Sequence, residues 1–271
     1  MRYRIAASDI DDTLLRSDLT ISQSTKDTIL NFQARGGVFV LSTGRMYPSA
    51  RALAGELGLK GYLVSYQGAV VSELATGRIL VDETMEPGAA AALLRKLEES
   101  GGQLHIYDRE RLYVRERTPE TAQYERVCGV EAVELHERLA DHVERTGKRL
   151  TKILAINTPE ATGVWLRQMR EDFGEEFYLC TSKPYFLEIL KKGVSKAAGI
   201  ECVAAEYGLT MTDVLAVGDS DNDIPMIRAA ALGAAVANAS PELKAAADLI
   251  TLSNDEDAVA LLLQLNMQDR L

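Results

Sequence analysis

The chain has 271 residues, of which 46% are hydrophobic and 26% are charged, enough for one large domain or for a larger domain with a smaller one. Its 30 basic and 40 acidic residues give a net charge of −10 without any basic block, which argues against nucleic acid as a partner but leaves a small phosphorylated ligand open. No apolar run is long enough to span a membrane, and three scattered cysteines without a CxxC pair fit a reducing compartment, so we expect a cytoplasmic protein.

The first segments alternate between apolar strands and amphipathic helices. YRIAASD predicts the first strand, and ISQSTKDTILNFQARGG predicts a helix with Ser22 or Ser24 as its N-cap. Ile29 and Phe32 are spaced to share the buried face of this helix, and Gly36 follows its end. VFVLSTGR then predicts a second strand, and GYLVSYQGA predicts a third.

The last third of the chain returns to the same alternation. Ile200, Val203, Ala204 and Tyr207 recur at the spacing of one helix face, and the strand DVLAVGDSDND follows. A helix in DIPMIRAAA, a strand in LGAAVAN and a helix in SPELKAAAD with Ser240 as its N-cap complete the series. Such alternation is typical of an α/β protein with a Rossmann-like parallel sheet covered by helices.

Between these blocks the pattern changes. AAAALLRKLEES and ATGVWLRQMRED predict helices, and QLHIYDRERLYVRE, RLTKILAINT and PYFLEIL alternate like half-exposed strands. The stretch from 118 to 147 is expected to be helical. A middle segment with its own α/β pattern predicts an inserted domain. We therefore expect a core of residues 1–82 and 191–271 and an inserted α/β cap domain of residues 83–190.

Polar residues gather where three of the predicted strands end, and ligands bind at the carboxyl ends of parallel strands. They are Asp9, Asp11, Asp12 and Thr13 after the first strand, Ser42, Thr43, Gly44 and Arg45 after the second, and Asp219, Asp221, Asn222 and Asp223 after the late strand. Two carboxylates 4 Å apart repel by roughly 4 kcal/mol near a protein surface, so this edge requires a compensating cation. Oxygen ligands without histidine or cysteine favour a hard divalent ion, above all Mg²⁺.

Two alternatives to a ligand site stay open at this stage. Asp221 and Asp223 are also typical turn residues, because Asn222 or Asp223 can cap a helix that begins near Ile224. Lys196 lies in the first turn of its helix, where the helix dipole disfavours a cation, and this position indicates an anionic neighbour. The alternative is a solvated lysine.

The motifs DIDDTLL, STGR, the lysine of GVSK and GDSDND, in that order, resemble the four motifs of the haloacid dehalogenase superfamily of phosphohydrolases. The longest gap, between Thr43 and Lys196, is where this superfamily inserts its larger α/β cap, which determines substrate specificity. Together with SYQGA and PYFLEIL, this arrangement is similar to the Cof-type subfamily of phosphatases that act on sugar phosphates and other small metabolites. The resemblance spans essentially the whole chain.

The resemblance implies a role for each matching residue. Asp9 is the implied nucleophile, which forms an aspartyl-phosphate, and Asp11 is the implied general acid and base. Mg²⁺ is implied at the carboxylates of Asp9 and Asp219 and the main-chain carbonyl of Asp11, with Asn222 or Asp223 completing or orienting its shell. The implied phosphoryl ligands are Thr43, the backbone of Gly44, Lys196 and Asn222.

The chain departs from the family pattern at two positions. Asp12 stands where glycine is usual, and we expect it to adopt the left-handed or turn conformation that keeps the loop. Gln67 stands where asparagine is usual, which changes any hydrogen bond that depends on the shorter amide. In the cap, Tyr185, Phe186 and Glu188 are candidates for facing a substrate, because a cap of this kind closes over its site.

The leading hypothesis is a Mg²⁺-dependent phosphatase that hydrolyses small phosphorylated metabolites. A sugar phosphomutase or phosphotransferase is the alternative within enzymes, because it shares this catalytic core. A protein that binds a phosphorylated metabolite without turnover is the alternative outside enzymes, although such a protein has no need of the nucleophile Asp9. The sequence indicates neither the physiological substrate nor the oligomeric state.

Overall fold

The computed structural model describes residues 1–271 and divides into two compact units. The core unit comprises Met1–Gly44, Ala50–Val81 and Ser195–Leu271. The insert unit comprises Arg45–Ser49 and Asp82–Val194.

The chain forms fourteen strands and ten α-helices. The strands are β1 (Ile5–Ser8), β2 (Val38–Ser42), β3 (Tyr62–Ser65), β4 (Val70–Glu73), β5 (Ile79–Asp82), β6 (Gln103–Asp108), β7 (Arg111–Val114), β8 (Ala132–Glu134), β9 (Lys152–Ile156), β10 (Phe177–Lys183), β11 (Phe186–Lys191), β12 (Val214–Gly218), β13 (Leu232–Ala235) and β14 (Leu249–Ile250). The α-helices are α1 (Gln23–Ala34), α2 (Tyr47–Glu56), α3 (Pro87–Glu99), α4 (Pro119–Cys128), α5 (Leu139–Thr146), α6 (Pro159–Phe173), α7 (Lys196–Glu206), α8 (Ile224–Ala229), α9 (Pro241–Ala246) and α10 (Ala258–Met267).

The larger sheet has the strand order β14-β13-β12-β1-β2-β3-β4-β5. All pairs from β14 to β3 are parallel, so the predicted α/β fold with a Rossmann-like parallel sheet is confirmed. The predicted third strand is too long, because β3 ends at Ser65. Tyr66–Gly68 then forms a short 3-10 turn that reverses the chain, and β4 returns antiparallel to β3. The extension of the sheet by β4 and β5 is not predicted from the sequence.

Helix caps and buried faces in the core unit largely follow the sequence pattern. Ser22 is the N-cap of α1, since its hydroxyl accepts a hydrogen bond from the Thr25 backbone N–H at 3.0 Å. Ser240 caps α9 in the same way. Tyr207 departs from the pattern, because it lies at the C-cap of α7 with 41% of its surface exposed rather than on the buried face of the helix.

The insert unit has its own six-stranded sheet, in the order β10-β11-β9-β6-β7-β8. Apolar residues of α3, α5 and α6 pack on this sheet to form a separate hydrophobic core. The expectation of helix from residue 118 to 147 is only partly correct, because β8 separates α4 from α5 and pairs in parallel with β7.

A buried ion pair joins two strands of the insert unit. Lys152 Nζ of β9 lies 3.2 Å from Glu188 Oε2 of β11, and both side chains are almost fully buried. The ammonium group also lies 4.8 Å from the ring centroid of Tyr107. Glu188 therefore already has a charged partner within its own unit. Tyr185, the first of the three substrate-facing candidates in PYFLEIL, is 42% exposed.

No helix in the structure combines the length and the apolar composition required to cross a lipid bilayer. None of the three cysteines takes part in a disulfide bond.

Candidate active site

The strand order brings the ends of the motif-bearing strands together. β1 lies between β12 and β2, and all three run in the same direction, so their carboxyl ends share one edge of the sheet. The parallel pairing continues one residue past the strands, because the Asp9 N–H donates to the Val217 carbonyl at 3.1 Å. The Thr43 N–H likewise donates to the Val64 carbonyl at 2.9 Å. The first side chains beyond the strands are thereby held by backbone hydrogen bonds.

Three carboxylates form the centre of this edge. One carboxylate oxygen from each of Asp9, Asp219 and Asp223 lies within 4.8 Å of the other two, and all three residues are buried. Asp219 is oriented by Thr13, whose hydroxyl donates to Asp219 Oδ1 at 3.1 Å. A cluster of carboxylate oxygens without nitrogen or sulfur ligands has the chemistry that hard divalent cations prefer.

Lys196 contacts two carboxylates of this cluster. Its Nζ donates to Asp9 Oδ1 at 2.6 Å and also to Asp223 Oδ1, and no part of its side chain is exposed. Lys196 is the first residue of α7, directly after the N-cap Ser195. The alternative of a solvated lysine is therefore wrong, and the unfavourable position at the helix start is explained by two carboxylates in contact with the ammonium group.

The burial of these charges changes their acidity. Burial raises the pKa of Asp9 to about 7, with Lys196 opposing this rise and the carboxylates of Asp223 and Asp11 adding to it. Burial acts to lower the pKa of Lys196, but the carboxylates of Asp223 and Asp9 outweigh it, so the lysine pKa lies above its ordinary value. Lys196 thus stays protonated, and one ammonium group faces three carboxylates. A further cation at Asp9 would favour its ionised form.

Asp223 is held by the turn that carries it. Its Oδ2 accepts hydrogen bonds from the backbone N–H groups of Asp219 at 3.0 Å and Ser220 at 3.2 Å. The alternative of a turn role for Asp223 is correct, because its carboxylate completes the capping box of the 3-10 turn Asp221–Asp223. Asp223 is also the N-cap residue of α8, but its side chain makes no capping hydrogen bond there. Between the two residues that the sequence left open for the metal shell, the structure places Asp223 with the carboxylates.

Asn222 lies in a second group of polar residues at the same edge. Its Nδ2 donates to Gln67 Oε1 at 3.1 Å, and the Gln67 backbone N–H donates to the Thr43 carbonyl at 2.9 Å. Gln67 therefore links two of the candidate phosphoryl ligands, Thr43 and Asn222. Gly44 follows Thr43 and is half-buried. The family pattern draws attention to position 67, but no sequence signal indicates that its side chain meets Asn222.

The loop after β1 takes the expected conformation. Asp12 has φ 56°, so the left-handed conformation expected of an aspartate in place of glycine is confirmed. Asn238, which follows β13, stabilises the loop, because its Nδ2 donates to the Asp12 carbonyl at 2.8 Å. Asp11, the candidate acid and base, lies half-buried between Asp9 and Asp12. No signal in the sequence points to Asn238.

Gly68 allows α7 to approach the turn after β3. Its φ is +97°, and a Cβ at this position would lie 2.1 Å from the backbone carbonyl oxygen of Ser195. We expect Gly68→Ala to lower the free energy of unfolding by at least about 2 kcal/mol and to displace the start of the helix that carries Lys196. Denaturant unfolding and turnover check this.

The matched control is Gly77→Ala. Gly77 also has positive φ, at +74°, but nothing lies within 4 Å of its Cβ position. This variant incurs the conformational cost alone, about 1 kcal/mol, and should keep full activity. Equal effects of the two variants would contradict the role of close packing at Gly68.

Several known hydrolases are similar to this chain in sequence or in structure. The haloacid dehalogenase-like hydrolase family matches residues 6–263. The putative phosphatase YxeH from Bacillus subtilis is 30% identical over 95% of this chain and 96% of its own length. The 5-amino-6-(5-phospho-D-ribitylamino)uracil phosphatase YcsE from the same organism is 30% identical over 95% of this chain and 93% of its own length. A haloacid dehalogenase-like hydrolase from Bacteroides thetaiotaomicron has a similar structure, with a TM-score of 0.83, 26% identity and coverage of 97% and 98% of the two chains.

The chain belongs to the haloacid dehalogenase-like hydrolase family. The match covers nearly the whole chain, and both YxeH and YcsE carry phosphatase names. The predicted family and the predicted enzyme class, a hydrolase of the phosphatase type, are confirmed.

Proposed function

We propose that this enzyme is a Mg²⁺-dependent phosphatase that hydrolyses small phosphorylated metabolites in the cytoplasm through an aspartyl-phosphate intermediate. The observation that carries the proposal is the contact of the buried Lys196 with Asp9 beside two further carboxylates. A carboxylate can attack an anionic phosphate only where positive charge screens both groups, and this edge of the sheet provides one ammonium group and the ligands for a cation.

The first half of the reaction uses Asp9 and Asp11. A carboxylate oxygen of Asp9 forms a bond to phosphorus as the bond to the leaving oxygen breaks, which transfers the phosphoryl group to the enzyme. Asp11 gives its proton to the leaving oxygen. Thr43, the backbone N–H of Gly44, Lys196 and Asn222 bind the phosphoryl oxygens while the charge moves.

The second half releases the phosphate. Asp11, now a carboxylate, takes a proton from a water molecule, and that water attacks phosphorus and displaces the carboxylate of Asp9. The nucleophile is restored and inorganic phosphate leaves. Lys196 remains protonated throughout, because Asp223 and Asp9 raise its pKa.

The oxygen ligands at the cluster fit a hard cation. Asp9, Asp219 and the main-chain carbonyl of Asp11 would hold Mg²⁺, and Asp223 would orient the shell from its hydrogen bonds to the backbone. When bound, the ion offsets the negative charge of the phosphoryl group and of the clustered carboxylates.

The proposed substrates are phosphate esters of small molecules. YcsE, similar over nearly its full length, is named for a phosphoribitylamino uracil, which is a substrate of this kind. The net charge of −10 and the absence of a basic block favour a small ligand over a nucleic acid. Which ester is hydrolysed in the cell depends on groups that recognise the part of the molecule beyond the phosphate.

Release of phosphate from p-nitrophenyl phosphate tests the proposal. We expect Mg²⁺ to support turnover and an excess of chelator to lower it by at least about 100-fold, since metal ions contribute several kcal/mol to such reactions. Mg²⁺ added back should restore the rate, whereas Ca²⁺, which prefers more ligands at longer distances, should restore much less. Equal turnover with and without chelator would contradict metal dependence. Conversion of a hexose 1-phosphate to its 6-phosphate without phosphate release would instead favour the mutase.

A further inference from the structure

Gln67 combines three costly features at one point beside the candidate phosphoryl site. It is fully buried, its backbone has φ 57°, and its side-chain Nε2 has no hydrogen-bond partner. A buried donor without an acceptor costs about 1–3 kcal/mol, and each left-handed residue other than glycine costs about 1–2 kcal/mol. Strained backbone and unpaired buried polar groups are concentrated at sites that bind ligands.

The backbone around Gln67 is forced into this shape over three residues. Tyr66, Gln67 and Gly68 have φ values of 49°, 57° and 97° in succession. The turn is locked from two sides, because the Gln67 N–H donates to the Thr43 carbonyl and Gly68 packs on the backbone of Ser195. The backbone of Gln67 is thereby held between the loop of Thr43 and the start of the helix of Lys196.

Neighbouring hydrogen bonds set the direction of the Gln67 amide. The Ser220 hydroxyl donates to Asn222 Oδ1 at 2.7 Å, so the Nδ2 group of Asn222 is the part that faces Gln67. Nδ2 is a donor and contacts Gln67 Oε1 at 3.1 Å. If the oxygen and nitrogen of the Gln67 amide were exchanged, two donors would face each other. The Nε2 group of Gln67 is therefore a buried N–H donor without an acceptor.

The chemistry around this donor indicates what the acceptor is. Gln67 is hydrogen-bonded to Thr43 and Asn222, and its neighbour Gly68 packs on Ser195, the residue before Lys196. Thr43, Asn222 and Lys196 are the groups assigned above to the phosphoryl oxygens. A phosphoryl group offers oxygens with several acceptor sites, and a preorganised N–H that meets developing negative charge is effective in stabilising it.

We propose that Gln67 binds the phosphoryl group of the substrate through Nε2 while its Oε1 positions Asn222. Gln67 is thus a further phosphoryl ligand, and the strained turn after β3 holds it in place. This inference rests on the proposed phosphatase function, since it requires an enzyme that binds and transfers a phosphoryl group.

Gln67→Glu is the sharpest test. Glutamate keeps the length of the side chain and an oxygen acceptor for Asn222, but it replaces the donor with an anionic oxygen that repels phosphate. With p-nitrophenyl phosphate and Mg²⁺, we expect kcat/KM to fall about 100-fold or more, as when a donor to a developing oxyanion is removed. The inhibition constant of inorganic phosphate should rise by at least about tenfold, because an N–H to a charged oxygen is lost.

Gln67→Met and Gln33→Glu complete the set. Gln67→Met removes both polar contacts without adding charge, and it should raise the phosphate inhibition constant by less than Gln67→Glu does. It also applies the same test if Gln67→Glu fails to fold. Gln33→Glu makes the same chemical change elsewhere in the core unit, where the side chain donates only to the Lys60 carbonyl, and it should behave as wild type.

The outcomes separate this inference from the function on which it rests. Wild-type turnover with unchanged phosphate inhibition in both Gln67 variants would overturn the inference and leave the phosphatase standing. A loss of thermal stability in these variants with a normal phosphate inhibition constant would also overturn it, because the role of Gln67 would then be structural. If wild type and Gln33→Glu neither turn over nor bind phosphate, the proposed function fails first and the inference falls with it.

Discussion

Asp9→Asn is expected to reduce phosphate release by at least about 10⁴-fold, to the level of the background reaction. Asparagine matches aspartate in size, but its amide is a poor nucleophile and cannot form the acyl phosphate. Lys196 and Asp223 remain in place, so the variant should stay folded. The measurements are initial rates with p-nitrophenyl phosphate and Mg²⁺, together with mass spectrometry of quenched samples. Phosphorylated chain should appear in wild type and be absent in the variant.

Asp12→Asn is the matched control for this result. It removes the same charge from the same loop, and asparagine accepts the left-handed conformation of Asp12. Its turnover should stay within a few-fold of wild type. An Asp9→Asn variant as active as Asp12→Asn would show that Asp9 is not the nucleophile.

The location of the candidate site is predictable from the sequence because it depends on topology. Strands that run in parallel end at one edge, so residues directly after β1, β2 and β12 must meet wherever these strands are neighbours. Asp9, Thr43 and Asp219 meet for this reason. The unfavourable place of Lys196 at a helix start predicts an anionic neighbour, and the contact with Asp9 agrees with this prediction.

Contacts between loops are not predictable in this way. Asp223 is separated from Asp219 by one turn. Whether its side chain caps α8 or accepts a hydrogen bond from Lys196 depends on the position of α7 in the fold. The contact of Gln67 with Asn222 depends on a left-handed turn that interrupts the pattern of an apparently continuous strand. The periodicity of hydrophobic residues predicts which residues are buried. It does not predict that the chain reverses direction within a buried segment.

Lys196→Met is expected to lower both activity and stability. The variant leaves the carboxylates of Asp9 and Asp223 buried without their ammonium partner, and breaking a buried ion pair from one side costs about 3–5 kcal/mol. We expect a loss of about 3 kcal/mol in the free energy of unfolding at pH 8 in the presence of chelator, and turnover near background. Lys60→Met, which removes an exposed lysine from the core unit, should change neither quantity.

The pH dependence of this loss identifies its cause. Lys196 lowers the pKa of Asp9, so its removal raises that pKa further above the value of 3.8 that an unburied aspartate has. A raised folded-state pKa costs stability at high pH, and the cost disappears as the pH falls towards the unfolded-state value. The difference between Lys196→Met and wild type should therefore shrink between pH 8 and pH 5, as measured by denaturant unfolding at each pH.

Asp223→Asn in the Lys196→Met background distinguishes charge from packing. If uncompensated carboxylates destabilise the variant, neutralising one of them should restore part of the lost free energy, and the two substitutions should be strongly non-additive. If the lysine stabilises the protein through its apolar stem alone, methionine should already replace it, and neither the second substitution nor a lower pH should help. An additive double variant with a pH-independent loss would refute the view that Lys196 compensates the carboxylate cluster. The ammonium group would then have to be assigned to substrate binding alone.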